Sequence, residues 1–511
     1  MKYLWIYLMV ALSLSKSKTA TGQVFTKLNV EDNIIATNDG SLRLNALESD
    51  GKIYYTTRTG TAAQAASLLC VIDKDGKNNK LFAQTYMIGA NFITATDQFI
   101  YYNSYVDKYS SYDFYRFNKT SEKVEKIIYS ETGDPVSYGI DAGVAFSKTY
   151  TFKDKLALVG FAYGGKEGNI LRHLAIVEDA SPTPIFVSAN VGKGGGFETS
   201  FIPSNDEIAI TESSIIYYNT NDSTKAIDLN FNKRLNNNYP DKYFLYPRPT
   251  DFKKNGYKPI GIKLTYANGK IYTLLQKIDD SINDSAYLYM GDILGVGGTL
   301  LDLKNTLSYY GIFMKAFGNN IYFGDKFKLY KYDVNTNSTR QLINLVPDEN
   351  GLLSGIGLIQ NQDYLLQSTD GTIFIGINTF YDFGPKVVRQ NGVQTILAIN
   401  PNNTVDTVCK IEGVNCSREN YKIDNNPSFV VNNSFYRIGR GENYKEWLIK
   451  YNKENNWQPT RIDYPQIKKY ETIGNTGYAP SIFQLPNALL INNIYSSKKR
   501  NIQSMYLFTE K

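Results

Sequence analysis

The sequence predicts an all-β protein, a single β-propeller of about eight four-stranded blades, with seven to nine allowed. Three observations predict it. A short unit recurs along nearly the whole chain: an apolar run rich in β-formers, a polar turn, a second apolar run, and a further turn. Tyrosine is very frequent, at 41 of 511 residues, and asparagine is abundant, which suits strands joined by tight turns. The two ends of the chain both read as strands, and one can complete the sheet that the other leaves short.

The clearest unit runs from Asn319 to Leu342, NNIYFGDKFKLYKYDVNTNSTRQL. Ile321-Tyr322-Phe323 is a strand, and Gly324-Asp325 can turn because both residues tolerate the backbone angles required. Leu329 to Tyr332 is the next strand, Asp333 to Ser338 an Asn-rich loop, and an outer strand begins near Thr339. One such unit cannot bury its own apolar faces, so units must stack.

The chain opens on Met1 to Gly22, which reads as a secretory signal peptide. Lys2 gives the positive start, and Tyr3 to Leu14 forms an apolar core too short to span a bilayer comfortably. Ala20-Thr21-Gly22 supplies small residues before a cut that leaves Gln23 first. Lys16 and Lys18 make the cleavage region less typical, and an uncleaved anchor is the alternative. The domain organisation expected is therefore residues 1–22 as leader and 23–511 as propeller. The expected location is secreted, periplasmic or cell-surface, with no transmembrane segment after cleavage. Loss of the leader removes three lysines and lowers the formal charge from +6 to +3. Lys498-Lys499-Arg500 is the one compact basic run, too little for a nucleic-acid footprint.

The second strand of each unit is expected after Gly51, Asp97, Asp154, Asp206, Asn268, Asn319, Gln362, Asn432 and Asn487, at steps of 43 to 70 residues. Third strands are expected at Leu68, Asp113, Ser214, Ala286, Lys328 and Glu446, each ending in a polar turn. Ser504 to Phe508 reads as a late strand without an outer neighbour, and Val24 to Leu28 is the candidate to supply it. The nine signals exceed the usual propeller range of about four to eight blades, so one is expected to be an inserted hairpin. Two smaller propellers, or a propeller with a β-sandwich, is the alternative architecture.

From Gly51 to Phe82, the stretches IYYTTRTG and LLCVIDKDGKNNKLF resemble the repeats of TolB-type and related exported propellers. That resemblance implies a propeller whose members scaffold protein contacts or bind small ligands; it does not by itself transfer a function.

The chemistry-bearing residues are few. His173 is the only histidine and sits in a strand-like run, LRHLAIVE. Without a G-x-S-x-G elbow and a later histidine there is no serine-hydrolase triad, and metal lyases or quinone enzymes that lean on several histidines are disfavoured. No cofactor is expected, although carboxylates alone could hold Ca²⁺ at Asp73-Lys74-Asp75-Gly76 or at Asp279, Asp280 and Asp284. The first of these reads more simply as a hairpin turn. Cys409 and Cys416 in CKIEGVNC are a candidate disulfide in an exported chain, or two separate thiols; Cys70 reads as a buried hydrophobe. Ser368 to Thr372, STDGT, is similar to a sialidase Asp-box but lacks its spacing. Gly192 to Gly196 reads as a flexible loop rather than a phosphate cradle. Trp447, Trp457 and Tyr444 are the candidate aromatic binding surface, against the alternative that they pack between blades. The function expected is a non-catalytic module that binds protein or polysaccharide on a loop face. The alternative is a glycosidase-like enzyme using acidic residues in a central depression.

Overall fold

The computed structural model describes residues 23–28, 35–36, 46–61, 66–84, 91–106, 111–127, 144–152, 155–163, 170–192, 199–202, 206–211, 215–219, 226–228, 256–268, 270–277, 285–292, 298–304, 306–307, 312–345, 352–359, 364–381, 390–416, 428–440, 446–464, 481–496 and 501–510. The fold is all-β, and the described residues form small antiparallel meanders with one three-residue 3-10 helix, Lys453–Asn455. Among the described residues no helix is long and apolar enough to cross a membrane. The leader read at Met1 to Gly22 lies outside the described residues.

The chain divides into two compact units. The first comprises Met1–Ile88, Ser368–Asp370 and Ser428–Lys511, and the second Gly89–Gln367 with Gly371–Pro427.

In the second unit, the meander Phe313–Phe317, Asn320–Gly324, Lys328–Asp333 and Ser338–Asn344 follows the strand pattern read from Asn319 to Leu342. Its turns form where carboxylates can satisfy loop amides. Asp325 Oδ1 accepts from the backbone N–H of Phe327 at 2.7 Å and of Lys328 at 2.8 Å. Asp333 Oδ1 does the same for Asn335 and Thr336 at 2.9 and 3.2 Å. Ile321, Phe323, Tyr330 and Tyr332 pack on Tyr272, Leu274 and Leu288 of the preceding meander. Tyr322, Leu329 and Ile343, from the other face, pack on Ile356, Ile373 and Ile375 of the following one. Both faces are dry, so the strands read as continuous apolar runs rather than alternating ones, and each buried large side chain contributes about 1.5–3 kcal/mol.

The other four-stranded meanders of the second unit begin at Asn91–Ala95, Val144–Phe152, Thr199–Ile202 and Tyr257–Ala267. The last meander, Leu352–Gly357, Ile373–Tyr381, Gln390–Ile399 and Val405–Cys416, departs from expectation. The apolar run after Gln362 forms only the three-residue strand Leu365–Gln367, which lies off the main path and pairs with Ile373–Tyr381. The true second strand is Ile373–Tyr381, because the polar turn Ser368 to Thr372 folds the chain back before the run can lengthen.

The first unit holds three meanders. One is Ala46–Ser49, Lys52–Thr61, Ala66–Asp73 and Lys80–Gln84. The second is Ser428–Val431, Ser434–Arg440, Glu446–Asn452 and Thr460–Asp463. The third runs Ser481–Leu485, Ala488–Ser496 and Asn501–Glu510, and its fourth strand is Gln23–Leu28. The register pairs Gln23 with Glu510 and Leu28 with Met505. The late strand thus receives an N-terminal partner, as its missing neighbour required. Leu28, Met505 and Leu507 share a core with Ile53, Tyr55 and Ile72 of the first meander. Tyr506 and Phe508 face Phe429, Tyr436 and Leu448 of the second. With the five four-stranded meanders and the five-stranded sheet of the second unit, the described residues contain nine such meanders.

Candidate functional site

A cleft of about 620 Å³ opens in the first unit, lined by Thr369, Asp370, Asn432, Asn433, Ser434, Lys450, Asn452, Lys453, Glu454 and Glu510. Its volume lies in the range of small-ligand sites. Apart from Lys450, inside the strand Glu446–Asn452, the lining residues sit at turns, strand ends or the short helix Lys453–Asn455. Asn432 turns the hairpin between Ser428–Val431 and Ser434–Arg440 at φ +49, which asparagine tolerates better than most residues. Asn452 caps the short helix Lys453–Asn455, its Oδ1 accepting from Asn455 N at 3.1 Å. Asn433 Oδ1 anchors the turn at 369–370, accepting from Thr369 Oγ1 at 2.6 Å and from Asp370 N at 2.9 Å. Asp370 itself accepts from Ser368 Oγ at 2.5 Å.

The floor is a charge pair. Lys450 Nζ lies 2.5 Å from Glu510 Oε1, with both side chains only 10% exposed. Tyr436, opposite Lys450 in the strand ladder and fully buried, donates its hydroxyl to the same Oε1. Burial, and then the Glu510 charge, push the Tyr436 hydroxyl well above its ordinary value, with a hydrogen bond from Ser434 opposing them. It therefore stays a protonated donor. Asn432 Nδ2 reaches the Glu510 backbone carbonyl at 3.5 Å. One carboxylate thereby ties together two neighbouring meanders, and its Oε1 is occupied by two donors. A carboxylate so engaged is a fixed acceptor. Among the described residues no second buried carboxylate stands beside it in the cleft; Asp370 and Glu454 are exposed.

The residues singled out from sequence fall mostly elsewhere. Trp457 is buried, 8% exposed, at a positive φ of 58. Trp447 is half-buried beneath the Arg461 guanidinium, 4.0 Å from its ring centroid, and its ring occupies the space left by Gly439 across the ladder. A Cβ on Gly439 would stand 2.3 Å from Trp447 Nε1. Trp457 thus packs inside its meander, Trp447 packs on Gly439 with Arg461 over its ring, and Tyr444 lies outside the described residues. Cys409 and Cys416 lie seven positions apart on one strand, Val405–Cys416, about 23 Å by strand rise. They cannot form the disulfide that their spacing suggested, because bridged cysteines have Cα atoms within about 7 Å. Cys70 is buried, as its apolar run implied.

His173 lies within the strand Ile170–Glu178, opposite Gly160 and Ser188. Asp73 to Gly76 forms a hairpin turn. Gly76 N donates to Asp73 O at 2.9 Å, and Asn78 Nδ2 to Asp73 Oδ2 at 2.6 Å. Gly76 sits at φ +83, where a Cβ would meet Lys27 O at 2.8 Å, so glycine is required there. Asp279, Asp280, Asp284 and the run 193–196 lie outside the described residues, among which no cluster of three or more metal-ligating side chains occurs. The turn Ser368 to Thr372, noted in the sequence only for its partial similarity to an Asp-box, supplies Thr369 and Asp370 to the cleft lining. Lys450, Glu510, Tyr436 and Asn433 were not anticipated. The one available signal was a lysine inside the strand EWLIKYN, where its neighbours are apolar.

No protein-family model matches the chain, and no curated protein matches it. Distant likenesses exist among solved structures. The polysaccharide lyase Uly1 superposes with a TM-score of 0.37 at 9% identity, over 96% of this chain and 98% of that one. An oligogalacturonate lyase in complex with manganese gives 0.34 at 10% identity, over 83% and 99%. The β-propeller domain of the Trilobed protease from Pyrococcus furiosus gives 0.32 at 10%, over 83% and 98%. Likeness at this distance says nothing about activity or ligand.

Proposed function

We propose that the protein is an exported β-propeller acting as a non-catalytic binding or scaffold module of the cell envelope or exterior. In this reading the four-stranded meanders are blades, and the pairing of Gln23–Leu28 with Asn501–Glu510 supports a closure built from both strands. Kinship with TolB-type propellers belongs to the same proposal, as does removal of residues 1–22 on export. The single observation that carries the binding reading is the cleft floor. Its deep carboxylate, Glu510, is held by Lys450 and Tyr436, and among the described residues the cleft offers fixed hydrogen-bonding groups with no second buried carboxyl group opposed to it, as a glycosidase would need.

The test is a capture experiment from envelope extract with protein beginning at Gln23, run beside a glycan-cleavage assay. Saturable retention of a specific protein or glycan, with the glycan recovered intact, is the expected outcome. Turnover of any glycan, lost on Glu510→Gln, would replace the binding reading with the enzymatic one.

A further inference from the structure

We propose, resting on the reading of the cleft as a binding site, that its ligand is a neutral saccharide recognised through two adjacent hydroxyl groups. Lys450 donates to one oxygen, and Glu510 Oε2 accepts the proton of the other. The chemistry follows from what the floor has left to offer. An ammonium carries three N–H groups, and among the described residues Lys450 directs only one, to Glu510 Oε1. Glu510 spends Oε1 on Lys450 and Tyr436, which leaves Oε2 without a partner among the described residues. A charged donor and a charged acceptor side by side, each nine-tenths buried, match a vicinal diol, whose two hydroxyls can donate and accept together.

The walls agree with the floor. Asn433 and Asn452 each spend the amide oxygen on the backbone of a neighbouring turn, so the group each has left is its NH₂. Acceptors stand among these donors at Asp370 and Glu454. Every lining side chain among the described residues carries a polar group, unlike the apolar pockets that seat the side chains of a peptide. An anion is disfavoured because Lys450 is already neutralised by Glu510, and Asp370 and Glu454 outnumber Lys453 at the rim. A metal cation is disfavoured because it would face the Lys450 ammonium.

The test is a titration of the chain from Gln23 onward with a panel of neutral mono- to tetrasaccharides, followed by calorimetry and saturation-transfer NMR. Inorganic phosphate and an acidic sugar serve as comparison ligands. One neutral saccharide should bind saturably, and its deoxy analogue lacking either hydroxyl of the recognised pair should bind about tenfold or more weakly. Lys450→Met should abolish binding. Because that change disturbs a buried pair, Glu454→Arg at the exposed rim is the second variant, expected to weaken binding with the unfolding midpoint unchanged. Binding that ignores both Glu454→Arg and deoxygenation overturns the inference. So does preference for phosphate or the acidic sugar, or a panel without any binder. Should the panel fail while a captured protein is displaced by Glu454→Arg, the cleft remains a binding site and only its saccharide specificity falls. Should nothing bind, both readings fall.

Discussion

Breaking the cleft-floor charge pair should be far more costly than deleting it. Glu510→Gln leaves the Lys450 ammonium in a site where its side chain is only 10% exposed, facing a neutral amide. Removing one partner of a buried pair typically costs roughly 3–5 kcal/mol. Contact with cleft water at that residual exposure lowers the expectation to about 2–3 kcal/mol for either Glu510→Gln or Lys450→Met. In the double variant neither charge remains, Tyr436 can still donate to the carbonyl of the substituted amide, and the cost should drop to about 1 kcal/mol. The coupling energy is therefore about 3–5 kcal/mol, well above the ~0.5 kcal/mol scatter of independent sites. Urea unfolding read by tryptophan emission suits the measurement. The three tryptophans are Trp5, Trp447 and Trp457, and a chain from Gln23 keeps only the two in the meander that carries Lys450. The coupling should persist at high salt, since buried pairs are weakly screened. Costs that add across the cycle, or a coupling that vanishes in salt, would refute the buried-pair account.

Other consequences are as direct. Asp179 is 6% exposed and accepts from Thr96 Oγ1 at 2.7 Å, Tyr101 Oη at 3.1 Å and Gln98 N at 3.3 Å. Asp179→Ala should destabilise the second unit by about 3 kcal/mol, seen as earlier exchange of amides in Phe99–Val106; an unchanged exchange rate there would count against it. Gly439→Ala drives a Cβ into the Trp447 ring and should shift its emission and lower stability by about 1–3 kcal/mol. Tyr272 and Tyr322 are pushed up to about 12, first by burial. Their folded values exceed the unfolded value near 10, so the stability they confer is full below pH 10 and is lost as pH rises towards 12. Tyrosinate absorbance should therefore rise in two stages, exposed groups near pH 10 and buried ones only with unfolding. Omission of residues 23–28 should leave Met505 and Leu507 beside an unpaired edge and make the protein self-associate, measurable by light scattering.

Much of the fold was legible because its signals are local. Apolar runs bounded by Asn, Asp and Gly mark eight of the nine expected second strands, since each turn is stabilised by residues adjacent to it. Asp325, Asp333 and Asn432 show how. The failure after Gln362 has the same origin. The run there is apolar, but the next turn comes too soon, and strand length is settled by how the fragment pairs with Ile373–Tyr381. The cleft was illegible because its parts come from turns far apart in sequence. Lys450 and Glu510 meet only once two meanders pack side by side. Trp447 and Trp457 drew notice as large aromatics, yet what decided the role of Trp447 was Gly439, a residue whose significance is the side chain it lacks. The spacing of Cys409 and Cys416 suggested a bridge because sequence distance says nothing about whether the chain between turns back; here it continues as one strand.

The pairing of Gln23–Leu28 with Asn501–Glu510 sets an order on biosynthesis. A ribosome makes Gln23–Leu28 long before its partner Asn501–Glu510. Until then Leu28 can pack only on Ile53, Tyr55 and Ile72, without Met505 and Leu507, and its strand lacks the partner that pairs with it. The second unit draws its residues from the middle of the sequence and can mature while the chain is still emerging; the first unit cannot. The sheet of the first unit that contains Gln23–Leu28 is thus completed only once Asn501–Glu510 has been made, and a segment that waits this long for its partner is open to misassembly in the meantime.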